Sequence, residues 1–86
     1  MSEPQIVFTR HAETMMAERG IKEEWIKTTI AEPDTTEADP VRPDVRRAFR
    51  VIPENGNRIL RVVYATLGDT IRVVTAFFDR DRRRRP

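Results

Sequence analysis

The sequence predicts an α+β fold in which a two-helix hairpin is followed by a three-stranded antiparallel sheet. Apolar residues recur at helical spacing in the first third of the chain, and they alternate with period two in the second half. A proline-rich segment without periodicity separates these two parts. We therefore expect a single domain over residues 1–79, followed by a basic, flexible tail over residues 80–86.

The first helix is predicted over Arg10–Arg19. Before it, Ile6–Phe8 is either a short extra N-terminal strand or a hydrophobic lead-in. Thr9 stands at the N-cap position, where a hydroxyl accepts a hydrogen bond from a free amide of the first turn. Gly20 stands where helices commonly end in a left-handed residue. The apolar stripe of this helix consists of Ala12, Met15 and Met16.

A second helix is predicted to begin at Glu23 and to end before Pro33. Acidic residues at its start suit the positive end of the helix dipole. Residues 33–44 contain three prolines and four acidic residues, so we expect a linker or flexible loop there. The apolar stripe of the second helix consists of Trp25, Ile26, Thr29 and Ile30.

Three strands are predicted over Arg46–Ile52, Arg58–Ala65 and Thr70–Phe78. The turns between them, at Pro53–Asn57 and Leu67–Thr70, contain the glycines that hairpins favour. One sheet face is expected to lie under the helices and to carry Phe49, Val51, Leu60, Val62, Tyr64, Ile71 and Val73. The opposite face is expected to carry Arg50, Arg61 and Arg72, with Val63, Val74, Ala76 and Phe78 among them.

Charge is divided unevenly along the chain. Residues 1–41 contain 4 Lys/Arg and 9 Asp/Glu, whereas residues 42–86 contain 12 Arg and 5 Asp/Glu. Arginine binds phosphate bidentately and stacks on bases, so an all-arginine basic half favours a polyanionic partner. A genome-wide preference for arginine explains the same composition, and the sequence does not separate these two interpretations.

The segment from Phe8 to Ile21 resembles the opening of the bacterial domain-of-unknown-function family 4258, whose pattern is T-x-H-A-x-x-R-M-x-E-R-G-I. The residues that carry the resemblance are Thr9, His11-Ala12 and Glu18-Arg-Gly-Ile21. The second half of that family resembles residues 60–64 and 68–78 here. One position departs from the pattern, since Met15 stands where the family has arginine.

The resemblance implies a relationship to RelE-like and BrnT-like toxins of bacterial toxin–antitoxin pairs, many of which cut mRNA. It therefore implies a domain that binds RNA, and a metal-independent ribonuclease is one form that this function can take. The partners implied are RNA and an antitoxin protein. The alternative is a non-catalytic module that oligomerises or binds protein through the apolar positions of the exposed sheet face.

The candidate catalytic residues are His11, Arg61, Arg72 and Tyr64. His11 is the only histidine and the natural general acid–base, while arginines stabilise the charge of a phosphorane. The structural alternative is a histidine that packs at the helix start and arginines that line a solvated sheet face. The candidate nucleic-acid-binding residues are Arg19, Arg50 and the tail residues Arg82, Arg83, Arg84 and Arg85.

Several kinds of chemistry are not supported by the composition. The chain contains no cysteine, which excludes disulfides and thiol catalysis. His11 has no acidic neighbours at metal-ligand spacing, and no phosphate-binding glycine loop is present, so we expect neither a metal nor a cofactor. No apolar run approaches the length of a membrane span, and we expect a cytoplasmic protein.

Overall fold

Two helices and five strands make up the computed structural model, which describes residues 4–80. The helices are α1 (Arg10–Arg19) and α2 (Glu23–Ala31). The strands are β1 (Gln5–Phe8), β2 (Thr35–Ala38), β3 (Val45–Ile52), β4 (Arg58–Leu67) and β5 (Thr70–Phe78). The two helices and the three long strands therefore lie close to the positions that the sequence predicts.

The architecture differs from the predicted one, although it remains α+β. All five strands form a single mixed sheet in the order β1-β5-β4-β3-β2. The prediction of a helical hairpin followed by a three-stranded antiparallel sheet is wrong, because a strand is added at each edge. β1 pairs parallel to β5, with Phe8 opposite Val73. The extra N-terminal strand is thus present, but its short apolar run gave no indication of its partner.

The second added strand, β2, lies inside the segment predicted to be a loop. It pairs antiparallel to β3, with Thr35 opposite Phe49. The side-chain Oδ2 of Asp34 accepts a hydrogen bond of 2.8 Å from the amide of Val51, which ties the start of β2 to β3. An edge strand of four mostly exposed residues needs no apolar alternation, so periodicity could not reveal it.

Both ends of α1 are formed as predicted. Thr9 Oγ1 accepts from the amide of Ala12 at 3.1 Å and donates to the carbonyl of Val74 at 3.0 Å. Gly20 ends the helix in a left-handed conformation, with φ of 64°. Ile21 then turns into the core, where it is buried. Thr9, Ala12, Gly20 and Ile21 of the opening motif therefore have structural roles.

The core lies between the helices and one face of the sheet. α1 packs against β5, whereas α2 packs against β3 and β4, so the two helices cover different strands of the sheet. Burying this apolar surface is the main stabilising contribution to a domain of this size. The buried cluster consists of Ala12, Ile21, Trp25, Ile26, Ala48, Ile52, Leu60, Val62, Tyr64, Val73 and Ala76.

The predicted division of side chains between the two faces is wrong in β3 and in the second half of β5. In β3 the core residues are Ala48 and Ile52, so Phe49 and Val51 point away from the helices. In β5 a bulge opposite Val63 and Tyr64 shifts the alternation. Ala76 and Phe78 therefore lie on the helix side, and Phe77 takes the outward position expected for Phe78.

Candidate functional site

The sheet face turned away from both helices carries the candidate site, and we call it the open face. Neither described helix packs on it. Strand alternation and register assign its members. They are Val7 of β1, Thr35 and Glu37 of β2, Val45, Arg47, Phe49 and Val51 of β3, Ile59, Arg61, Val63 and Ala65 of β4, and Arg72, Thr75 and Phe77 of β5.

Arg61 occupies the middle of the open face between two aromatic rings. In the register it lies opposite Phe49 on β3 and Phe77 on β5, so the three residues form one row across the sheet. Its guanidinium carbon is 5.7 Å from the centroid of Phe49 and 5.1 Å from that of Phe77. Contacts of this kind attract a cation to the ring faces and hold the guanidinium in place.

Arg47 lies in the next row of the open face and is held by acidic residues. Its Nη2 is 3.4 Å from Oδ2 of Asp39, and its Nη1 is 3.9 Å from Oε1 of Glu37. The amides of Arg42 and Val41 donate to Asp39 Oδ1 and hold the pKa of that carboxyl below its ordinary value, with Arg47 contributing in the same direction. Asp39 therefore stays anionic and keeps its attraction for Arg47.

Arg72 lies in the third row, opposite Ala65, and its side chain is exposed. Ala65 follows Arg61 by four residues along β4, a separation of about 13 Å in an extended strand. A chain of nucleotides spans a backbone separation of this size and can contact both arginines. The placement of Arg61 and Arg72 on one face therefore suits a polyanion.

The third predicted member of the arginine row lies elsewhere. Arg50 is opposite Leu60, on the helix side, and its Nη1 donates to the carbonyl of Glu32 at 2.6 Å. This bond satisfies a carbonyl at the end of α2, where a cation is also favoured by the helix dipole. Arg50 was predicted to lie beside Arg61 because Phe49 and Val51 were expected to face the helices. Strand alternation then puts Arg50 on the opposite face of the sheet.

The catalytic candidates do not meet in one place. Arg61 and Arg72 share the open face, whereas Tyr64 is buried in the core on the other side of the sheet. His11 is exposed in the first turn of α1, a helix that also packs on that other side. One helical turn further along, Met15 offers no cation to accompany His11. The catalytic assignment remains a prediction.

Among the remaining nucleic-acid-binding candidates, Arg19 does not lie on the open face. Arg19 is exposed in the last turn of α1, where its charge suits the negative end of the helix dipole. The tail residues Arg82, Arg83, Arg84 and Arg85 lie outside the described residues. Their predicted roles in binding remain predictions.

Sequence reasoning missed three residues of the central rows, namely Arg47, Phe49 and Phe77. Each belongs to a strand that was predicted, but its face depends on register. Consecutive Phe77 and Phe78 must point to opposite faces, which was the only available signal that one aromatic ring lies outward. The bulge decides which of the two does so.

Residues 4–80 contain no group of three or more histidine and acidic side chains arranged to hold a metal ion. Neither α1 nor α2 has the length and apolarity needed to cross a bilayer.

Comparison with known proteins gives one match. The family described as "Domain of unknown function (DUF4258)" matches residues 8–78, which is most of the chain. No curated protein and no solved structure matches. The matched range runs from the end of β1 to the end of β5 and contains both helices and the whole row formed by Phe49, Arg61 and Phe77.

Proposed function

The chain belongs to the DUF4258 family, and we propose that it is a toxin-type domain that binds single-stranded RNA across its open face. The observation that carries the proposal is the guanidinium of Arg61, held between Phe49 and Phe77. Arg72 on β5 adds positive charge to the same face, and Arg47 on β3, which is paired with Asp39 and Glu37, lies on the other side of Arg61's strand. The relationship to RelE-like and BrnT-like toxins that the family resemblance implies favours the same role.

Single-stranded RNA fits this arrangement for two reasons. Proteins that bind single strands combine a cationic track for the backbone with flat side chains on which bases stack. Phe77 is half-buried beside Arg61, so the exposed part of its ring offers a surface for a base. Duplex RNA hides its bases and would use only the arginines.

Binding is supported better than cleavage. Removing a proton from the 2′-hydroxyl requires a base within hydrogen-bond reach of the atoms that the arginines hold. The sheet separates His11 and Tyr64 from Arg61 and Arg72. We therefore propose RNA binding as the function, and ribonuclease activity is tested in the same experiment.

We expect the protein to bind a labelled short single-stranded RNA with a strong salt dependence, measured by fluorescence anisotropy. Three phosphate contacts, from Arg47, Arg61 and Arg72, correspond to a slope of about −2 in log affinity against log salt. The variant Arg82→Ser/Arg83→Ser/Arg84→Ser/Arg85→Ser serves as the control, because it removes the four charges of residues 82–85 and substitutes none of Arg47, Arg61 and Arg72. The slope of about −2 is expected to persist in that variant.

Two results would overturn parts of this proposal. Affinity that disappears in the tail variant would show that the open face does not bind RNA. Cleavage of the RNA without added metal, abolished by His11→Ala, would establish the ribonuclease that the geometry disfavours.

A second candidate function uses the same face. Val51 and Val63 are half-buried on it, and exposed apolar patches often mark protein interfaces. A non-catalytic module would pair through this face with a second copy or with an antitoxin protein. Sedimentation tests it: a stable dimer that dissociates in a Val63→Lys variant would favour this function, and a monomer at all concentrations would exclude the homodimer.

A further inference from the structure

Asp79 lies at one end of the open face and faces Arg61. Its Oδ2 is 3.5 Å from Nη1 of Arg61, and the two side chains are only 11% and 25% exposed. The amide of Asp79 donates to the carbonyl of Ile59 at 2.9 Å, which fixes its backbone beside β4 just past the end of β5. A carboxylate is therefore held next to the guanidinium of Arg61, the arginine at the middle of the open face.

The pairing leaves part of the guanidinium unused. Charge-assisted hydrogen bonds between arginine and a carboxylate are about 2.7–2.9 Å long, so a separation of 3.5 Å is a loose ion pair. The Nε atom of Arg61 is buried and has no hydrogen-bond partner among residues 4–80. A buried donor without a partner is costly, so the guanidinium of Arg61 is incompletely satisfied by the described residues.

The loosely held Nη1 leaves the end of the guanidinium, formed by Nη1 and Nη2, open to a stronger bidentate acceptor. A phosphate presents two oxygens that accept from Nη1 and Nη2 together, in a fork geometry that arginine favours. The ring of Phe77 has its centroid 5.1 Å from the guanidinium carbon, and the base of the same nucleotide would stack on its exposed part. Arg61 and Phe77 would thus contact the phosphate and the base of one nucleotide.

We propose that Arg61 and Phe77 form a nucleotide subsite in which Asp79 occupies the place of the phosphate until RNA binds. This inference rests on the proposed RNA-binding function. On binding, a backbone phosphate replaces the carboxylate of Asp79 on Arg61, and the carboxylate turns towards solvent. The carboxylate and the phosphate repel each other when both are close to the guanidinium, so Asp79 weakens RNA binding. An anion that binds Arg61 only weakly does not displace the carboxylate.

The test compares two substitutions that change net charge equally. Asp79→Asn keeps the shape of the side chain and removes its charge. Asp69→Asn makes the same change at an exposed residue of the β4–β5 turn, at the opposite end of β5. We expect Asp79→Asn to bind a labelled single-stranded RNA about five- to tenfold more tightly than wild type, and Asp69→Asn to stay within about twofold.

The Tm of each variant, measured with and without RNA, shows whether a substitution changes the stability of the fold. Asp79→Asn leaves Arg61 without its carboxylate, so the free variant is expected to have a lower Tm than wild type, and added RNA is expected to raise its Tm by more than that of Asp69→Asn. Equal affinities of the two variants, with wild-type RNA binding intact, would overturn the inference alone. Absence of RNA binding by all three proteins would overturn the proposed function and the inference together.

Discussion

Replacement of both Arg61 and Arg72 by glutamine is expected to weaken RNA binding about 100-fold. Each arginine would lose a charge-assisted bond to phosphate worth about 1.5 kcal/mol or more, and about 1.4 kcal/mol corresponds to a factor of ten. The loss should be accompanied by a shallower salt dependence, because two fewer counterions are released from the RNA. Fluorescence anisotropy over a range of salt concentrations measures both quantities.

The matched control removes two arginines from the other side of the molecule. Arg10 begins α1, and Arg46 lies opposite Tyr64 on the helix side of the sheet; both are exposed. The double variant Arg10→Gln/Arg46→Gln lowers the net charge equally and is expected to reduce affinity by less than about threefold. If both double variants weaken binding to the same extent, attraction is due to net charge and the open face has no special role.

A single substitution separates binding from folding. Arg61 contacts two aromatic rings and Asp79, so its replacement also alters packing. Arg72 is exposed, and Arg72→Gln is expected to leave the free energy of unfolding within about 0.5 kcal/mol of wild type. A loss of affinity in this variant would therefore report on the interface.

The largest expected effect on stability comes from Leu60→Ala, which we expect to lower the free energy of unfolding by about 3 kcal/mol. Leu60 is 0% exposed and lies in the core under the helices, opposite Arg50 and Phe78 in the sheet. Its truncation removes buried apolar contacts and leaves a cavity that close-packed neighbours cannot fully fill. In a domain of this size such a loss is a large part of the total stability.

The same strand supplies the control. Leu67 ends β4 and is 58% exposed, so Leu67→Ala is expected to change the free energy of unfolding by less than about 0.5 kcal/mol. Urea unfolding measures both variants, and an unchanged m-value would show that the denatured state is not responsible. A cost below about 1 kcal/mol for Leu60→Ala would contradict the position of the core.

Local signals predicted the elements of this fold. Thr9 and Gly20 bound α1 because one supplies a hydroxyl to the first turn and the other tolerates a positive φ. The three long strands followed from alternation, and the Asn-Gly pair at residues 55–56 indicated the turn between β3 and β4. These features depend only on neighbours along the chain.

The strand partners and the assignment of faces depend on contacts that are distant in sequence. β2 is polar and exposed, and nothing in its four residues distinguishes it from a loop. The partner of β1 follows from how the helices cross the sheet. The bulge at the middle of β5 exchanges the faces of Phe77 and Phe78, and no residue type in that stretch demands a bulge.

The candidate site likewise combines features that local sequence predicts with features that depend on contacts distant in sequence. It was predictable that arginines of β4 and β5 share the sheet face turned away from the helices, and Arg61 and Arg72 do so. The hydrogen bond from Arg50 to the end of α2 was not predictable, because only the three-dimensional packing brings the carbonyl of Glu32 within reach. Phe49 and Phe77 join Arg61 through register alone.

The most direct test of the open face is an NMR experiment on the protein bound to a short single-stranded RNA, in which contacts between RNA protons and side-chain protons are observed. We expect contacts to the methyl groups of Val63 and to the ring of Phe77, which lie on the open face. The methyl groups of Met16 and Ile30, which pack on the other side of the sheet, serve as the internal control. Contacts confined to α1, around His11 and Met16, would contradict the proposal that RNA binds on the open face.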